Sequence, residues 1–182
     1  MRRTKLRRVS KSPLAKAKTR LWKTLKQVLD IRDGETCISC GVTGITGHNK
    51  HGGHFLPSSS CGGFLRYDLR NVHNQCLRCN MYMSGATVDY MISLEKKYGR
   101  EFVDKILAQR GTDIKLDVQY LETLTTFYEG LLTKNRDQLL KLTKNYNGFI
   151  NETETNNDGP NPEVVAKPAK QARSRKKNTG DN

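Results

Sequence analysis

Cys37-Ile38-Ser39-Cys40-Gly41 and Cys76-Leu77-Arg78-Cys79-Asn80 stand 39 residues apart, and the reading of the fold turns on them. Two residues between thiols let both thiolates reach one ion from a tight turn, and two such turns complete a tetrahedral four-cysteine zinc site. Gly41 follows the first pair, where a chain curling around a metal needs positive φ. A site of this kind is structural: it is closed to substrate and ties the start of the intervening segment to its end. The alternatives are two unrelated pairs or a redox motif, and no thioredoxin-like pattern surrounds either pair. Cys61 belongs to neither pair and receives no role.

Outward from the cysteines, charge is unevenly placed. The 182 residues carry a formal net charge of +14, and residues 1–32 hold twelve basic side chains against one acid. Residues 33–150 are nearly neutral, with fourteen basic and twelve acidic residues. A basic arm on a near-neutral module suits phosphate contacts without sequence choice. A solvated tail or a polybasic membrane patch is the alternative, but no membrane-helix or lipid-anchor signal accompanies the charge. No stretch is long and apolar enough to span a membrane, and the N-terminus lacks the apolar region of a signal peptide. The chain is therefore expected in the cytoplasm, where thiols stay reduced and paired cysteines read as metal ligands. Only 35% of residues are hydrophobic, so a modest core stapled by metal is expected.

Along the chain, residues 1–19 read as a basic flexible arm. Leu21, Trp22, Leu25, Val28 and Leu29 recur at helical spacing and predict a helix within 20–34, ended by Asp33-Gly34. Residues 35–112 form the motif-bearing core with its following helices. His54-Phe55-Leu56 and Phe64-Leu65-Arg66-Tyr67 are candidate strands of a hairpin, and residues 88–98 and 100–110 read as two helices broken at Gly99. Within 113–147, Asp117 caps one long helix with a three-four stripe that includes Leu121, Tyr128, Asn135 and Leu139. That stripe packs on the domain or on a second copy of the chain. Residues 148–182 read as a disordered basic tail.

Between the knuckles stand His54, 14 residues after Cys40, and Asn71, five before Cys76; Asn80 follows the second pair directly. The order CxxC, His, Asn, CxxC resembles the zinc-stapled branch of the HNH endonucleases. The resemblance implies an α+β fold with a ββα-metal core, flanked by helices and basic termini. It implies His54 as general base and Asn71 as the residue that orients the imidazole or holds its loop. It also implies one Mg²⁺ or Mn²⁺ that stabilises the phosphorane-like transition state. Many HNH motifs carry Asp before the base and His after the last Cys, where this chain has Gly53 and Asn80. Asn80 can serve a hard cation through its amide oxygen. His73, His51 and Asp68 are the candidates to replace the missing acid, and His48 reads as a loop residue.

The runs Cys-Ile-Ser-Cys-Gly, Gly-His-Phe, Leu-Arg-Tyr-Asp-Leu-Arg-Asn-Val-His-Asn-Gln-Cys-Leu-Arg-Cys-Asn and Met-Ser-Gly are more closely similar to the NinG (Rap) recombination proteins of lambdoid bacteriophages. The similarity spans roughly residues 37–110. That group has Gly before the base and Asn after the last Cys, and His73 matches one of its histidines. It tends to have Lys where this chain has Met83. The resemblance implies a metal-dependent endonuclease acting on branched DNA such as Holliday junctions and D-loops, with catalytic His54, Asn71 and His73. Zinc falls to Cys37, Cys40, Cys76 and Cys79, and the catalytic metal to Asn80 and His73; Arg66, Arg70 and Arg78 sit among the motif residues and are candidate DNA contacts, with an ordinary solvated surface as the alternative. A homodimer through the long helix is expected of an enzyme that cuts two strands. The alternatives are a zinc-stapled DNA-binding module without catalysis and a general HNH nuclease cutting duplex DNA.

Overall fold

The computed structural model describes residues 12–149 of the chain. The first eleven residues of the expected arm and everything from residue 150 in the expected tail lie outside the described residues. The fold is α+β: six α-helices, numbered α1–α6 in chain order, two short helical turns at Gly47–Asn49 and Arg78–Tyr82, and one two-stranded antiparallel sheet among the described residues.

Helix α1 spans Pro13–Asp33, seven residues longer at its start than the apolar stripe predicts. Ser12 caps it, its hydroxyl oxygen accepting from the Ala15 amide at 3.2 Å, and Pro13 sits in the first turn where its missing N–H costs nothing. Residues 13–19 are thus helix rather than flexible arm. Gly34, at φ 62°, ends the helix as expected.

The hairpin strands are β1, Lys50–His54, and β2, Val72–Cys76, paired so that Gly53 faces His73 and His54 faces Val72. Only His54 of the expected first strand is extended. Phe64–Tyr67, the expected second strand, instead lies in and beside helix α2, Gly62–Arg66. The cause is local: Gly62, at φ +79°, and Gly63 let this segment press onto residues 111–114. A Cβ on Gly62 would lie 2.2 Å from the Thr112 carbonyl oxygen, and one on Gly63 2.7 Å from that of Ile114.

Helices α3, Thr87–Tyr98, and α4, Arg100–Ala108, flank Gly99 as expected. The expected single helix after Asp117 is two: α5, Val118–Leu131, and α6, Arg136–Asn145. Asn135 breaks it by capping α6, with Gln138 closing the reciprocal capping box. Asp117 caps α5 as expected.

The α5 stripe, Leu121, Leu124, Tyr128 and Leu131, is buried with Leu21, Leu25, Val28 and Leu29 of α1 in one core cluster. It packs on its own domain, so it is not available as the dimer interface. A second cluster sets Phe55, Leu56, Cys61 and Leu65 against Tyr90, Leu94, Phe102 and Ile106. Phe149 packs edge-on against Tyr120 and at a tilt against Phe127, so the expected tail begins inside the fold.

A buried ion pair fixes α1 to the sheet. Arg32 is fully buried; its guanidinium holds both Asp33 oxygens at 2.9 and 2.7 Å and donates to the Leu69 and Val72 carbonyls at 2.6 and 2.7 Å. Asp33 also accepts the Asn74 amide at 3.1 Å and the Lys97 ammonium at 3.3 Å. Removing one partner of such a pair strands the other, at a cost of about 3–5 kcal/mol.

Candidate functional site

The two knuckles converge as their spacing requires. The thiol sulfurs of Cys37, Cys40, Cys76 and Cys79 all lie within 4.8 Å of one another, and Cys40 and Cys76 are 3.9 Å apart. Zn–S bonds of about 2.3 Å in a tetrahedron place sulfurs about 3.8 Å apart, so the four cysteines can hold a zinc ion. The first knuckle closes through the Cys37 amide to the Val42 carbonyl and the Gly41 amide to the Cys37 carbonyl, both at 2.9 Å, with Gly41 at φ 73°. The fifth cysteine, Cys61, is a buried member of the second core cluster, where burial pushes its thiol pKa up.

His54 ends β1 in a half-buried position. Its ring stacks on Trp22 of α1, 5.5 Å between centroids and nearly parallel. Its Nε2 lies 2.9 Å from the Arg66 carbonyl oxygen. A carbonyl only accepts, so the neutral ring carries its proton on Nε2 and keeps the lone pair on Nδ1. Burial pulls the imidazole below its ordinary value and the Arg66 charge adds to this, while the carbonyl bond opposes it. A neutral imidazole with a directed lone pair can accept a proton at neutral pH.

Asn71 is fully buried and does not orient that ring. Its Oδ1 accepts the Leu56 amide at 2.7 Å, and its Nδ2 donates to the Leu56 and Leu65 carbonyls, both at 3.1 Å. Its backbone carbonyl takes the Phe55 amide at 2.8 Å. Asn71 therefore closes the loop between the strands at its base, and the Arg66 carbonyl orients His54. A backbone acceptor twelve residues away leaves no side-chain signature, so sequence reading could not find it.

The remaining candidates separate by burial. His73 is fully buried between Tyr90 and Tyr98, its Nδ1 3.0 Å from the Tyr90 hydroxyl, and its pKa is pushed well down by burial. That position corrects the expectation that it meets substrate or a shared ion. Asp68 and Arg70 grip each other at 2.7 and 3.0 Å inside the fold, and Arg70 lies between the Phe64 and Tyr146 rings. Arg70 is therefore not a DNA contact, since its guanidinium is closed off from solvent. Arg66 and Arg78 are exposed, Arg66 donating to the Ser58 carbonyl at 3.1 Å. Asn80 meets His51, its Nδ2 3.0 Å from His51 Nδ1, while His51 Nε2 lies 3.0 Å from the His48 carbonyl. His51, weighed only as one substitute among three, is thus the side chain that Asn80 touches.

Gly53 explains the absent acid. A Cβ there would lie 1.8 Å from Gln75 Oε1. Gln75 is held by bonds from its Nε2 to Ser39 Oγ at 2.7 Å and to the Gly85 carbonyl at 2.8 Å, and its buried Oε1 has no protein partner among the described residues. Its amide oxygen fills the space in which a side chain at 53 would begin. No helix among the described residues is long and apolar enough to cross a membrane.

Residues 1–138 match the family model described as Bacteriophage Lambda NinG protein. Over 70 residues the chain is 40% identical to protein ninG of Escherichia phage 933W and 39% identical to those of Escherichia phage lambda and Salmonella phage P22. Those residues are 38% of this chain and 33% of each relative, so the match spans about a third of the length of these curated relatives. No solved structure matches the chain.

Proposed function

The chain belongs to the NinG family of bacteriophage proteins, and from that premise we propose that it is a metal-dependent endonuclease of phage recombination acting on branched DNA. The observation that carries the reading is His54. It is neutral, its proton is fixed on Nε2 by the Arg66 carbonyl, and its Nδ1 lone pair is left to act. In this reading the site is HNH-like, with the β1–β2 hairpin and the helical turn after Cys76 as its ββα core. Nδ1 takes a proton from a water, the water oxygen attacks phosphorus, and the bridging oxygen leaves with the cleaved strand. A divalent cation, Mg²⁺ or Mn²⁺, supplies positive charge against the transition state when bound. His51 and Asn80 would hold it, an imidazole nitrogen and an amide side chain that already meet at 3.0 Å. With no carboxylate at 53, the ion would keep most of its ligands as water and phosphate oxygens.

The second reading, a zinc-stapled DNA-binding module without catalysis, is favoured by one observation: Gln75 fills the place of the acid, and Asp68 is occupied by Arg70. Cleavage separates the two. A labelled four-way junction and a linear duplex of the same sequence are incubated with Mg²⁺ or Mn²⁺ and with wild type or His54→Ala. Preferential junction cutting by wild type, with His54→Ala binding but not cutting, is the expected result. Binding by both proteins with cutting by neither would leave the module. Equal cutting of junction and duplex would leave a general nuclease.

A further inference from the structure

Resting on the nuclease reading, we propose that the turn Arg78–Tyr82, with Met83 behind it, is a wedge whose Tyr82 ring stacks on an unpaired nucleobase at a DNA branch. The turn is a single π-helical turn whose Met83 amide reaches back to the Arg78 carbonyl at 2.9 Å. It presents Met81, Tyr82 and Met83 to solvent at 60%, 78% and 43% exposure. Apolar side chains displayed together at such exposure mark a contact surface.

The backbone behind them is held rather than loose. Ser84, Gly85 and Ala86 have φ of 48°, 89° and 44°, and residues other than glycine keep such values only where their surroundings impose them. Here the Gly85 amide bonds the Cys79 carbonyl at 2.9 Å, Gln75 holds the Gly85 carbonyl at 2.8 Å, and Ala86 is buried against the cysteine cluster. The zinc ligands therefore brace the turn from behind.

Position and charge select a nucleobase as the occupant. Tyr82 lies two residues beyond Asn80, in the same short turn as the proposed metal residue. Exposed Arg78 opens the same turn, and the chain's +14 charge favours a polyanion. An aromatic ring finds no free base face within a stacked duplex but finds one at a branch, which gives structure preference without sequence choice. Val88 and Ile92, exposed on α3, make a second copy of the chain the competing occupant.

The test uses the full zinc-loaded chain in a His54→Ala background, so that DNA stays intact. It binds a four-way junction with a fluorescent adenine analogue at the branch, or a linear duplex with the same analogue inside. Tyr82→Ala is expected to weaken junction binding roughly 5- to 100-fold, to leave duplex binding unchanged and to abolish the branch-specific change in fluorescence. Tyr82→Trp should restore all three. Unchanged junction affinity for Tyr82→Ala, or equal losses on both DNAs, overturns the wedge and leaves the nuclease reading standing. A shift from dimer to monomer on Tyr82→Ala, seen by sedimentation without DNA, also overturns it and assigns the patch to a second copy. If the background protein binds no DNA at all, the wedge falls together with the reading on which it rests.

Discussion

Protonation of His54 is opposed by burial against Trp22 and by the Arg66 charge, and favoured by the Arg66 carbonyl. Burial wins, so the neutral form, the one a general base needs, persists below the ordinary imidazole value of about 6.5. The acid limb of the cleavage profile should lie below that pH. Trp22→Ala, by admitting water, should move the limb up towards it, as a pH–rate series would show. The same shift has a stability consequence. His54 and fully buried His73 both have folded pKa values below their unfolded ones, so the unfolded chain binds more protons as pH falls. Their contribution is whole above about 6.5 and is lost on acidification below it, so urea midpoints should drop from pH 7.5 to pH 5.5. At this scale the sequence exposes a residue's chemistry better than its surroundings. His54 and the four thiols announce themselves by type and order. Arg70 reads as a surface cation until Asp68 and two aromatic rings are seen to enclose it.

The two knuckles act on the elements between and beyond them. If the four cysteines bind zinc, chelation should lower the melting midpoint and loosen both the hairpin and the turn at Arg78–Tyr82. Cys76→Ala should reproduce the loss and make the protein insensitive to chelator, with zinc content and thermal melts as the readouts. Element boundaries were legible where they rest on local signals and hidden where those signals competed. The dense basic charge around residues 1–19 masks the helix start at Ser12-Pro13. Asn135 fits the apolar stripe in spacing but caps α6, and its partner Gln138 is the cue that spacing alone overlooks. Strand β2 shows no alternation because all five residues are buried, with α1 on one face and Tyr90 on the other. A strand covered on both sides loses the period-two pattern by which strands are read.

For the whole molecule, long-range pairs decide what the chain order could not. Arg32 and Asp33 bind carbonyls and an amide some 40 residues away, and α5 meets α1 across nearly the full described length. Charge is the property best read without coordinates. Residues 1–11 hold six basic side chains. Their removal should flatten the plot of log affinity against log salt by up to about 5, at roughly 0.9 per phosphate neutralised. Junction and duplex should lose affinity equally, because phosphate contacts carry no preference for branches. Filter binding across a salt series would check both expectations.

The clasp at Asn71 has a consequence for engineering. Because Leu56, Leu65 and Asn71 fasten the base of the loop, the strands should tolerate a change at its tip. Ser59 and Ser60 are exposed there. The tip is therefore a natural insertion point, where a short tag or a single dye-bearing residue would ride on the protein and report what approaches this face while the hairpin beneath keeps its register.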